Sequence, residues 1–273
     1  MKPRLPDAHL RYPGDEDVPY LTWYKDAFAA VYIALHPFFR LEGLSPDDCD
    51  WGTFIVDNRD TGPDGDVATA ADLPERMRQL REEERGGKIS QEDLLELIPR
   101  RAESVTWTKV CETAGFGSWA PLNQSLLTHI LSLRREFEDV RGRDMLREFC
   151  EQTSLFLPTE GSFQILHRPM ITDIFRQAGV EKLVIGDDVV DELWERSPVD
   201  LKSDDSWEFH WRRMWSPDQS ILVTTHWDSF FTLICLDADR ARSIDLGAFE
   251  GFWAQATTKH SWWRDSSIGA KSK

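Results

Sequence analysis

The chain has 273 residues, of which 41% are hydrophobic and 29% are charged, a composition typical of a globular protein and not of a disordered one. Its 48 acidic and 32 basic side chains give a formal net charge of −16 at pH 7, and only residues 100–148 lack an excess of acids. Nucleic acids and anionic membranes bind basic surfaces, so the charge argues against both, whereas a basic protein or a small ligand fits it.

Two further features concern location and redox state. No apolar stretch approaches the roughly 20 residues of a membrane span, and the first residues lack an apolar signal core, so we expect a soluble, cytoplasmic protein. The cysteines are isolated and lie among apolar neighbours, which predicts buried, reduced thiols and no zinc ribbon. They are Cys49, Cys111, Cys150 and Cys235.

The first elements in the chain are predicted to be mainly helical. Apolar side chains recur every three or four residues over 22–36, a spacing that predicts a helix ended by Pro37. A short helix is expected after Ser45, a short strand at 53–56 and a polar loop at 57–72.

Five more helices are expected before residue 152. The first, over 74–85, is charged, and Ser90 is a capping residue for the second, over 93–98. Residues 107–114 form the third, which Gly115 ends, and 118–137 form a long fourth one. Gly142 is expected to interrupt the helical structure, and the fifth helix, which contains residues 145–150, follows it.

The pattern then changes to one with more strands. A helix at 171–178 and a strand at 182–185 precede a predicted helical turn at 189–195. Alternating apolar and polar residues at 207–215, and apolar runs at 221–227 and 231–236, predict a three-stranded antiparallel meander. Residues 249–253 are expected to form a helical turn, and 267–273 a disordered tail.

These elements predict an α+β fold: a mainly helical N-terminal half packed on a small C-terminal antiparallel β-meander. We expect a single domain over 1–273, with the helical half at about 22–152 and the β-rich half at about 153–265. The sequence does not determine the oligomeric state.

One candidate function is DNA binding through a helix-turn-helix at 106–135. The outline of two helices and a glycine-containing turn fits. The second helix, however, begins Trp119-Ala120-Pro121-Leu122-Asn123, so few polar side chains are available to read bases. We therefore expect no nucleic acid partner.

A second candidate is an enzyme that uses the histidines of the meander. His210, His226 and Asp228, together with His260, are residue types that bind zinc or non-haem iron. The His226-Trp227-Asp228 triplet is similar to the H-x-D half of a facial triad. Whether His210 and His226 share a sheet face depends on the strand register. We expect no metal and no cofactor, with the imidazoles as bystanders.

Tryptophan is abundant, and seven of the 12 indoles follow residue 206. A sheet face lined by Trp207, Trp211 and Trp215 is either covered by a helix or open as a ligand-binding surface. On the open reading, Arg212 is placed to orient an acidic ligand. The predicted ligand-binding set therefore contains Trp207, His210, Trp211, Arg212, His226 and Asp228.

Several phrases lie scattered between residues 36 and 263. They are His36-Pro37-Phe38-Phe39, a block at 107–137 with Gly115 and Leu122-Asn123, His226-Trp227-Asp228-Ser229-Phe230-Phe231, and Glu250-Gly251-Phe252 followed by Trp262-Trp263. Together they resemble an uncharacterised bacterial family known only as a domain of unknown function. The resemblance implies a bacterial cytosolic protein and no particular activity or site.

The leading hypothesis from the sequence is an acidic ligand- or protein-binding protein without catalytic activity. It rests on the negative charge, the aromatic sheet and the lack of a P-loop, a nucleophile elbow or a G-x-G-x-x-G motif. A metal-dependent or metal-free enzyme and a helix-turn-helix regulator are the alternatives.

Overall fold

The computed structural model of the chain describes residues 7–49, 88–187, 193–202 and 211–270. Its centre is a seven-stranded antiparallel sheet in the order β5-β4-β6-β7-β8-β1-β9, and β2 and β3 form a second, two-stranded sheet. The strands are β1 (Ala30–Leu35), β2 (Phe38–Leu41), β3 (Ala102–Val105), β4 (Leu183–Asp187), β5 (Leu193–Arg196), β6 (Trp211–Trp215), β7 (Ile221–Thr225), β8 (Phe231–Leu236) and β9 (Gly251–Trp253).

Seven α-helices accompany the sheets in the described residues, and most lie in the N-terminal half. They are α1 (Tyr20–Trp23), α2 (Gln91–Arg101), α3 (Trp107–Ala114), α4 (Trp119–His129), α5 (Val140–Thr153), α6 (Arg168–Gln177) and α7 (Ala238–Ser243). The α+β class is thus confirmed. The elements expected at 53–56, 57–72 and 74–85 lie outside the described residues.

The predicted meander is present as β6, β7 and β8. Met214 pairs with Val223, and Val223 pairs with Ile234, so all three strands are in continuous antiparallel register. The turn between β6 and β7 is fixed by Ser216, whose hydroxyl accepts the amide N–H groups of Ser220 and Ile221 at 3.1 Å. The meander is the middle of a larger sheet, not a separate small one.

The prediction of a helix over 22–36 is wrong. Only Tyr20–Trp23 is helical there, and Ala30–Leu35 is strand β1, paired with β8 on one side and β9 on the other. A strand buried on both faces is apolar at consecutive positions, so the alternation that identifies a half-buried strand is lost. Because apolar residues are so frequent in β1, some of them lie three or four positions apart by coincidence, as they do in an amphipathic helix.

Two expected helical turns are also strands. Residues 251–253 form β9, in which Phe252 pairs with Ile33. Leu193–Arg196 is β5, which pairs with β4, while residues 188–192 are not described. Both segments lie at sheet edges, where a short strand takes its hydrogen bonds from a partner that sequence spacing does not reveal.

The long helix expected over 118–137 is shorter. It ends at His129, and Leu131 has a φ of 57° that no α-helix contains. Gly142 does not interrupt α5 but lies in its first turn, where a Cβ atom would be 2.2 Å from Ser125 Oγ on α4. The glycine therefore permits the close approach of the two helices.

The end of the chain also differs from the expectation of disorder. Residues 267–270 are described, and Ile268 packs against the main hydrophobic core. A Cβ atom at Gly269 would lie 2.3 Å from the Trp119 ring, so the chain passes directly over this indole. Residues 271–273 lie outside the described part.

The large sheet is covered on both faces. Alternate residues of β1 divide between two cores, with Val31 and Ile33 on one face and Tyr32 and Ala34 on the other. Helices α3, α4 and α5 pack with Trp262 and Trp263 on the first face. Helix α6 supplies Ile171, Ile174 and Phe175 to the second. A buried sheet of this kind is a rigid base for the loops at its ends.

Three further features concern the cysteines, Trp215 and the character of the helices. All cysteines are free and buried, as predicted. Trp215 is buried in the core, so the sheet face at this indole is covered. None of the described helices combines the length and the apolar character that crossing a bilayer requires.

A joint of hydrogen bonds connects α3 to the sheet. The Trp107 indole N–H donates to the carbonyl oxygen of His36 at 2.7 Å. The Glu250 carboxylate accepts the amide N–H groups of Trp107 and Thr108, which begin α3. A carboxylate from another segment thus satisfies free amides at the positive end of the helix.

Candidate functional site

Three segments that are distant in sequence meet at one end of the large sheet. They are the loop at 12–18, the turn at 226–229 after β7, and the segment at 258–264. A cavity of about 420 Å³ opens between them and the residues that follow α4. We call this cavity the histidine cleft. Its lining includes Glu16, Asp17, Ser132, Arg134, Phe137, Asp228, His260, Ser261, Trp263 and Arg264.

The turn after β7 holds the His226 ring in place. The amide N–H of Ser229 donates to the carbonyl oxygen of His226, and the amide N–H of Asp228 donates to His226 Nδ1 at 3.2 Å. Nδ1 therefore acts as an acceptor, which puts the proton of the neutral ring on Nε2. Nε2 lies 3.4 Å from a carboxylate oxygen of Glu16.

Local hydrogen bonds and one ion pair position the loop that carries Glu16. The Asp15 carboxylate accepts the amide N–H of Asp17 at 2.9 Å, which closes a tight turn around Glu16. Lys259 Nζ pairs with Asp17 at 3.0 Å, and the Tyr20 amide N–H donates to the carbonyl oxygen of Thr258 at 2.9 Å. The loop is thereby attached to the segment that carries His260.

His260 is buried, and its ring is hydrogen-bonded to a pair of tyrosine hydroxyl groups. The Tyr12 hydroxyl lies 2.9 Å from His260 Nδ1 and 2.6 Å from the Tyr20 hydroxyl. The centroids of the His226 and His260 rings are 4.7 Å apart. With Nδ1 of His260 bonded to Tyr12, its Nε2 is the ring nitrogen left for a ligand.

Glu16, His226 and His260 together form a group of metal-ligating residues. Each offers one ligand atom, and the three atoms all lie within 4.8 Å of one another. Two imidazoles and one carboxylate are a ligand set found in catalytic zinc sites and in non-haem iron sites. Among the described residues, Asp228 is not part of this group, although its amide N–H donates to His226.

Burial keeps both imidazoles neutral. It lowers the pKa of His226 to about 3, with smaller effects from His260 and Arg212, and it lowers the pKa of His260 to about 4. Neutral imidazoles have the lone pairs that metal binding or proton transfer requires.

The pKa values of carboxyl groups near the cleft are raised, in contrast to those of the histidines. Burial, followed by the charges of Asp17 and Asp15, raises the pKa of Glu16. Burial and then Glu16 raise the pKa of Asp228, and burial and then Asp228 raise the pKa of Glu160 to about 7. The ionised forms of these carboxyl groups are thus disfavoured, and a cation bound beside them would stabilise those forms.

Part of the cleft lining, which we call the basic wall, is basic and aromatic. The Arg264 guanidinium carbon lies 4.0 Å from the ring centroid of Phe137 and 5.1 Å from that of Trp263. Arg134, which precedes the 3₁₀ turn Arg135–Phe137, lines the same wall. The lining of the cleft thus combines acidic groups, the His260 imidazole and two guanidinium groups.

The comparisons with known proteins identify a family. The family model described as "Protein of unknown function (DUF2711)" matches residues 78–264, more than half of the chain. The chain belongs to this family. No curated protein and no solved structure matched the chain in the other two comparisons. The resemblance noted from the sequence is therefore confirmed as membership of a family of unknown function.

The phrases that carried the family resemblance contribute to two places in the structure. Trp107 and Glu250 lie within the matched range and form the joint between α3 and the sheet. His226 and Asp228 of a third phrase lie at the cleft. The matched range also includes His260 but not Glu16, which comes from the N-terminal loop.

The structure brings together only part of the predicted ligand-binding set. Trp207 and His210 lie outside the described residues, and for Trp211 the backbone alone is described, as the first residue of β6. Arg212 is partly buried, and its charge contributes to the low pKa of His226. His226 and Asp228 are at the cleft, as two members of the predicted set.

Sequence reasoning missed Glu16, Tyr12, Arg134 and Arg264. Glu16 stands in an acidic run, Asp15-Glu16-Asp17, that resembles many others in a chain with 48 acids. His260 could be considered from the sequence because it is a histidine, and the chain has only seven of them. The position of Glu16 carried no comparable signal.

The DNA-binding reading receives no support from α4. Asn123, one of the few residues of this helix suited to reading a base, is fully buried. Gln124 donates its side-chain N–H to the carbonyl oxygen of Phe137 at 2.7 Å. A recognition helix must expose its first turns to the major groove, and here they face the core.

Proposed function

We propose that this protein is a metal-dependent enzyme in which His226, His260 and Glu16 bind one divalent transition-metal ion at the histidine cleft. The observation that supports this most directly is the group of three ligand atoms within 4.8 Å of one another. Ligands at zinc bond lengths of about 2.0–2.2 Å are separated by roughly 3.3–3.5 Å in a tetrahedron. His226 Nε2 and the Glu16 oxygen are already 3.4 Å apart.

The second shell of His260 is suited to metal binding. With an ion at Nε2, the neutral ring carries its proton on Nδ1, which then donates to the Tyr12 hydroxyl at 2.9 Å. Histidine ligands in metal sites commonly donate their second N–H group in this way, and the partner fixes the ring orientation. Tyr20 in turn holds the Tyr12 hydroxyl at 2.6 Å.

Metal binding at the His226 ring has a free-energy cost, because it requires the loss of one hydrogen bond. An ion at Nε2 moves the ring proton to Nδ1, and the hydrogen bond from the Asp228 amide is then lost. One hydrogen bond contributes about 1 kcal/mol, and leaving a donor unsatisfied costs about 1–3 kcal/mol. Zinc binding to the four ligands of zinc-finger peptides contributes on the order of 10 kcal/mol, several times the cost of this one bond. The metal therefore outweighs this bond.

The position of the ligands favours catalysis over a structural role. Structural zinc sites have four protein ligands, whereas catalytic sites have three and an open position. Glu16 and His260 both line the cavity, so an ion between them faces the space in which a substrate binds. A divalent ion at such a position lowers the pKa of bound water and polarises carbonyl or phosphoryl groups, which is the chemistry of hydrolysis.

The second candidate function is the non-catalytic ligand-binding protein expected from the sequence. It is favoured by the Asp228 amide bond to His226, because the resulting Nε2 proton is directed at Glu16 without any ion. In this case the two histidines are part of a neutral hydrogen-bond network, and the cleft binds its ligand without metal.

The experiment is metal titration of the purified, chelator-treated chain by calorimetry with Zn²⁺ and, under anaerobic conditions, Fe²⁺. We expect one bound equivalent in the natural protein. H226A, H260A and E16Q should each weaken binding by more than the 10–100-fold that outer-shell changes cause. H129Q and D26N are the controls, since neither residue belongs to the ligand group and Asp26 is exposed.

Circular dichroism of every variant checks that the fold is retained. Absence of stoichiometric binding to the natural protein, or binding by H226A, H260A and E16Q equal to that of the controls, would remove the metal proposal and leave the second candidate. Binding that survives in E16Q but fails in both histidine variants would assign the carboxylate ligand elsewhere.

A further inference from the structure

The histidine cleft is lined by two guanidinium groups that form no ion pair with any acid of the described residues. In the described part of the chain, neither Arg134 nor Arg264 has an ion pair or a side-chain hydrogen bond, and both are exposed. The hydrogen bond and charge of Lys259, and then the charges of Arg264 and Arg134, lower the pKa of Asp17, but the ion pair of this carboxylate is with Lys259, at 3.0 Å. The arginines are therefore available to an incoming group.

Stacking fixes the orientation of Arg264. Its guanidinium lies over the Phe137 ring at 4.0 Å and near the Trp263 ring at 5.1 Å. A guanidinium stacked by its face on an aromatic ring keeps its N–H groups free at the edge. That edge matches the two oxygens of a carboxylate or phosphate and binds them through parallel hydrogen bonds. Reduced freedom of the side chain lowers the entropic cost of binding.

The size of the cleft limits the ligand to a small molecule. A volume of about 420 Å³ lies within the range of roughly 300–1,000 Å³ that is typical of small-molecule sites. Arg134 and Arg264 line the same cavity as Glu16, Asp228 and His260. A ligand that spans the cleft thus meets both the basic wall and the histidine group.

From these contacts we infer that Arg134 and Arg264 bind an oxyanion group, a carboxylate or a phosphate, of a small substrate whose other end reaches His226 and His260. This inference rests on the proposed function for the identity of the second end, and it adds the class of substrate. The basic wall itself does not depend on the metal.

The test uses benzoate and phenyl phosphate as probes, with benzamide as the neutral control, and follows ¹H saturation transfer and tryptophan fluorescence. Both anions should bind the natural protein more tightly than benzamide. R264Q and R134Q should each weaken anion binding about tenfold, the size of one lost charge-assisted hydrogen bond. R264K should be intermediate, since lysine keeps the charge but loses the planar edge.

R242Q is the matched control, because Arg242 is an exposed arginine of α7 that pairs with Asp239. A carboxylate substrate predicts that benzoate binds better, and a phosphate substrate predicts that phenyl phosphate does. Equal binding of the anions by R264Q and R242Q, or benzamide binding as tight as benzoate, would overturn the inference.

Metal titration of R264Q separates this inference from the proposed function. We expect R264Q to bind Zn²⁺ like the natural protein and to lose anion binding alone. Normal metal binding with unchanged anion binding would contradict the oxyanion site and leave the metal site intact. Anion binding that requires Arg264 in a chain without metal binding would do the reverse.

Discussion

Replacement of Glu250 tests how the α3 joint supports the fold. The Glu250 carboxylate accepts the amide N–H groups of Trp107 and Thr108 and also the Thr108 hydroxyl at 2.6 Å. Hydrogen bonds to a charged acceptor contribute about 1.5–3 kcal/mol each, and partial exposure favours the lower end of that range. The loss of two amide bonds in E250A should therefore lower the free energy of unfolding by about 3 kcal/mol.

The glutamine variant separates charge from shape. E250Q keeps one acceptor oxygen but places an amide N–H group beside backbone donors, so we expect a loss of about 1–2 kcal/mol. Urea unfolding followed by tryptophan fluorescence measures both losses, because the Trp107 indole is fully buried at this joint. A loss of 3 kcal/mol also lowers Tm by roughly 6–12 °C in a chain of this size.

Glu96 provides the control for these measurements. It is an exposed glutamate on α2, so E96A should change the free energy of unfolding by less than about 0.5 kcal/mol. If E250A unfolds within 0.5 kcal/mol of E96A, the amides of α3 do not depend on this carboxylate and the reasoning is refuted. If E250Q is as stable as the natural protein, the negative charge contributes nothing.

Two further predictions concern a carboxyl group near the cleft and a glycine in the sheet. The pKa of Glu160 is raised from 4.5 to about 7, so the folded state favours the neutral form and loses stability as the pH rises from about 4.5 to 7. Solvent screening reduces the full effect of roughly 3 kcal/mol, and we expect E160Q to be about 1 kcal/mol more stable than the natural protein at pH 8 but equal to it at pH 4.5; equal stability at both pH values contradicts this. In G251A, a Cβ atom would lie 2.0 Å from the Ile33 carbonyl oxygen, so we expect a loss of about 3 kcal/mol or more in thermal and urea unfolding. G117A, which meets nothing within 4 Å, should be neutral, and a neutral G251A would show that β9 can move away from β1.

Local signals in the sequence identified the elements whose structure depends on neighbouring residues. Ser90 and Thr106 accept the amide N–H groups of Asp93 and Lys109, as N-caps do, and Gly115 ends α3 with a φ of 87°. The β6–β7 turn follows from Ser216-Pro217-Asp218, whose side chains form the turn itself. These features need no knowledge of the rest of the chain.

The elements that sequence reasoning missed depend on distant partners. Strand β1 lies between β8 and β9, about 200 residues away in sequence, and burial on both faces removes its alternating pattern. β9 has only three residues, and its position is fixed by Ile33 and by Glu250 beside α3. Neither relation leaves a mark in a short window of sequence.

The candidate site shows the same difference between local signals in the sequence and contacts with distant residues. His226 and Asp228 were expected to act together because they are two residues apart. The turn after β7 instead directs the Asp228 amide at the His226 ring, and the carboxylate beside Nε2 comes from Glu16. Spacing on a turn does not fix which side chains converge, whereas spacing on a helix or strand does.

Buried histidines with a lowered pKa also lie outside the cleft, and a comparison with His36 identifies what distinguishes the cleft. Burial also lowers the pKa of His36 to about 4, so a low pKa alone does not mark a functional site. The His36 ring is fully satisfied, because Nδ1 lies 2.7 Å from the Thr159 carbonyl oxygen and Nε2 lies 2.8 Å from the Thr232 hydroxyl. His260, in contrast, lines a cavity with Glu16 and has one ring nitrogen bonded to Tyr12. The open geometry and the adjacent carboxylate, and not the lowered pKa, are the reasons to assign chemistry to His226 and His260.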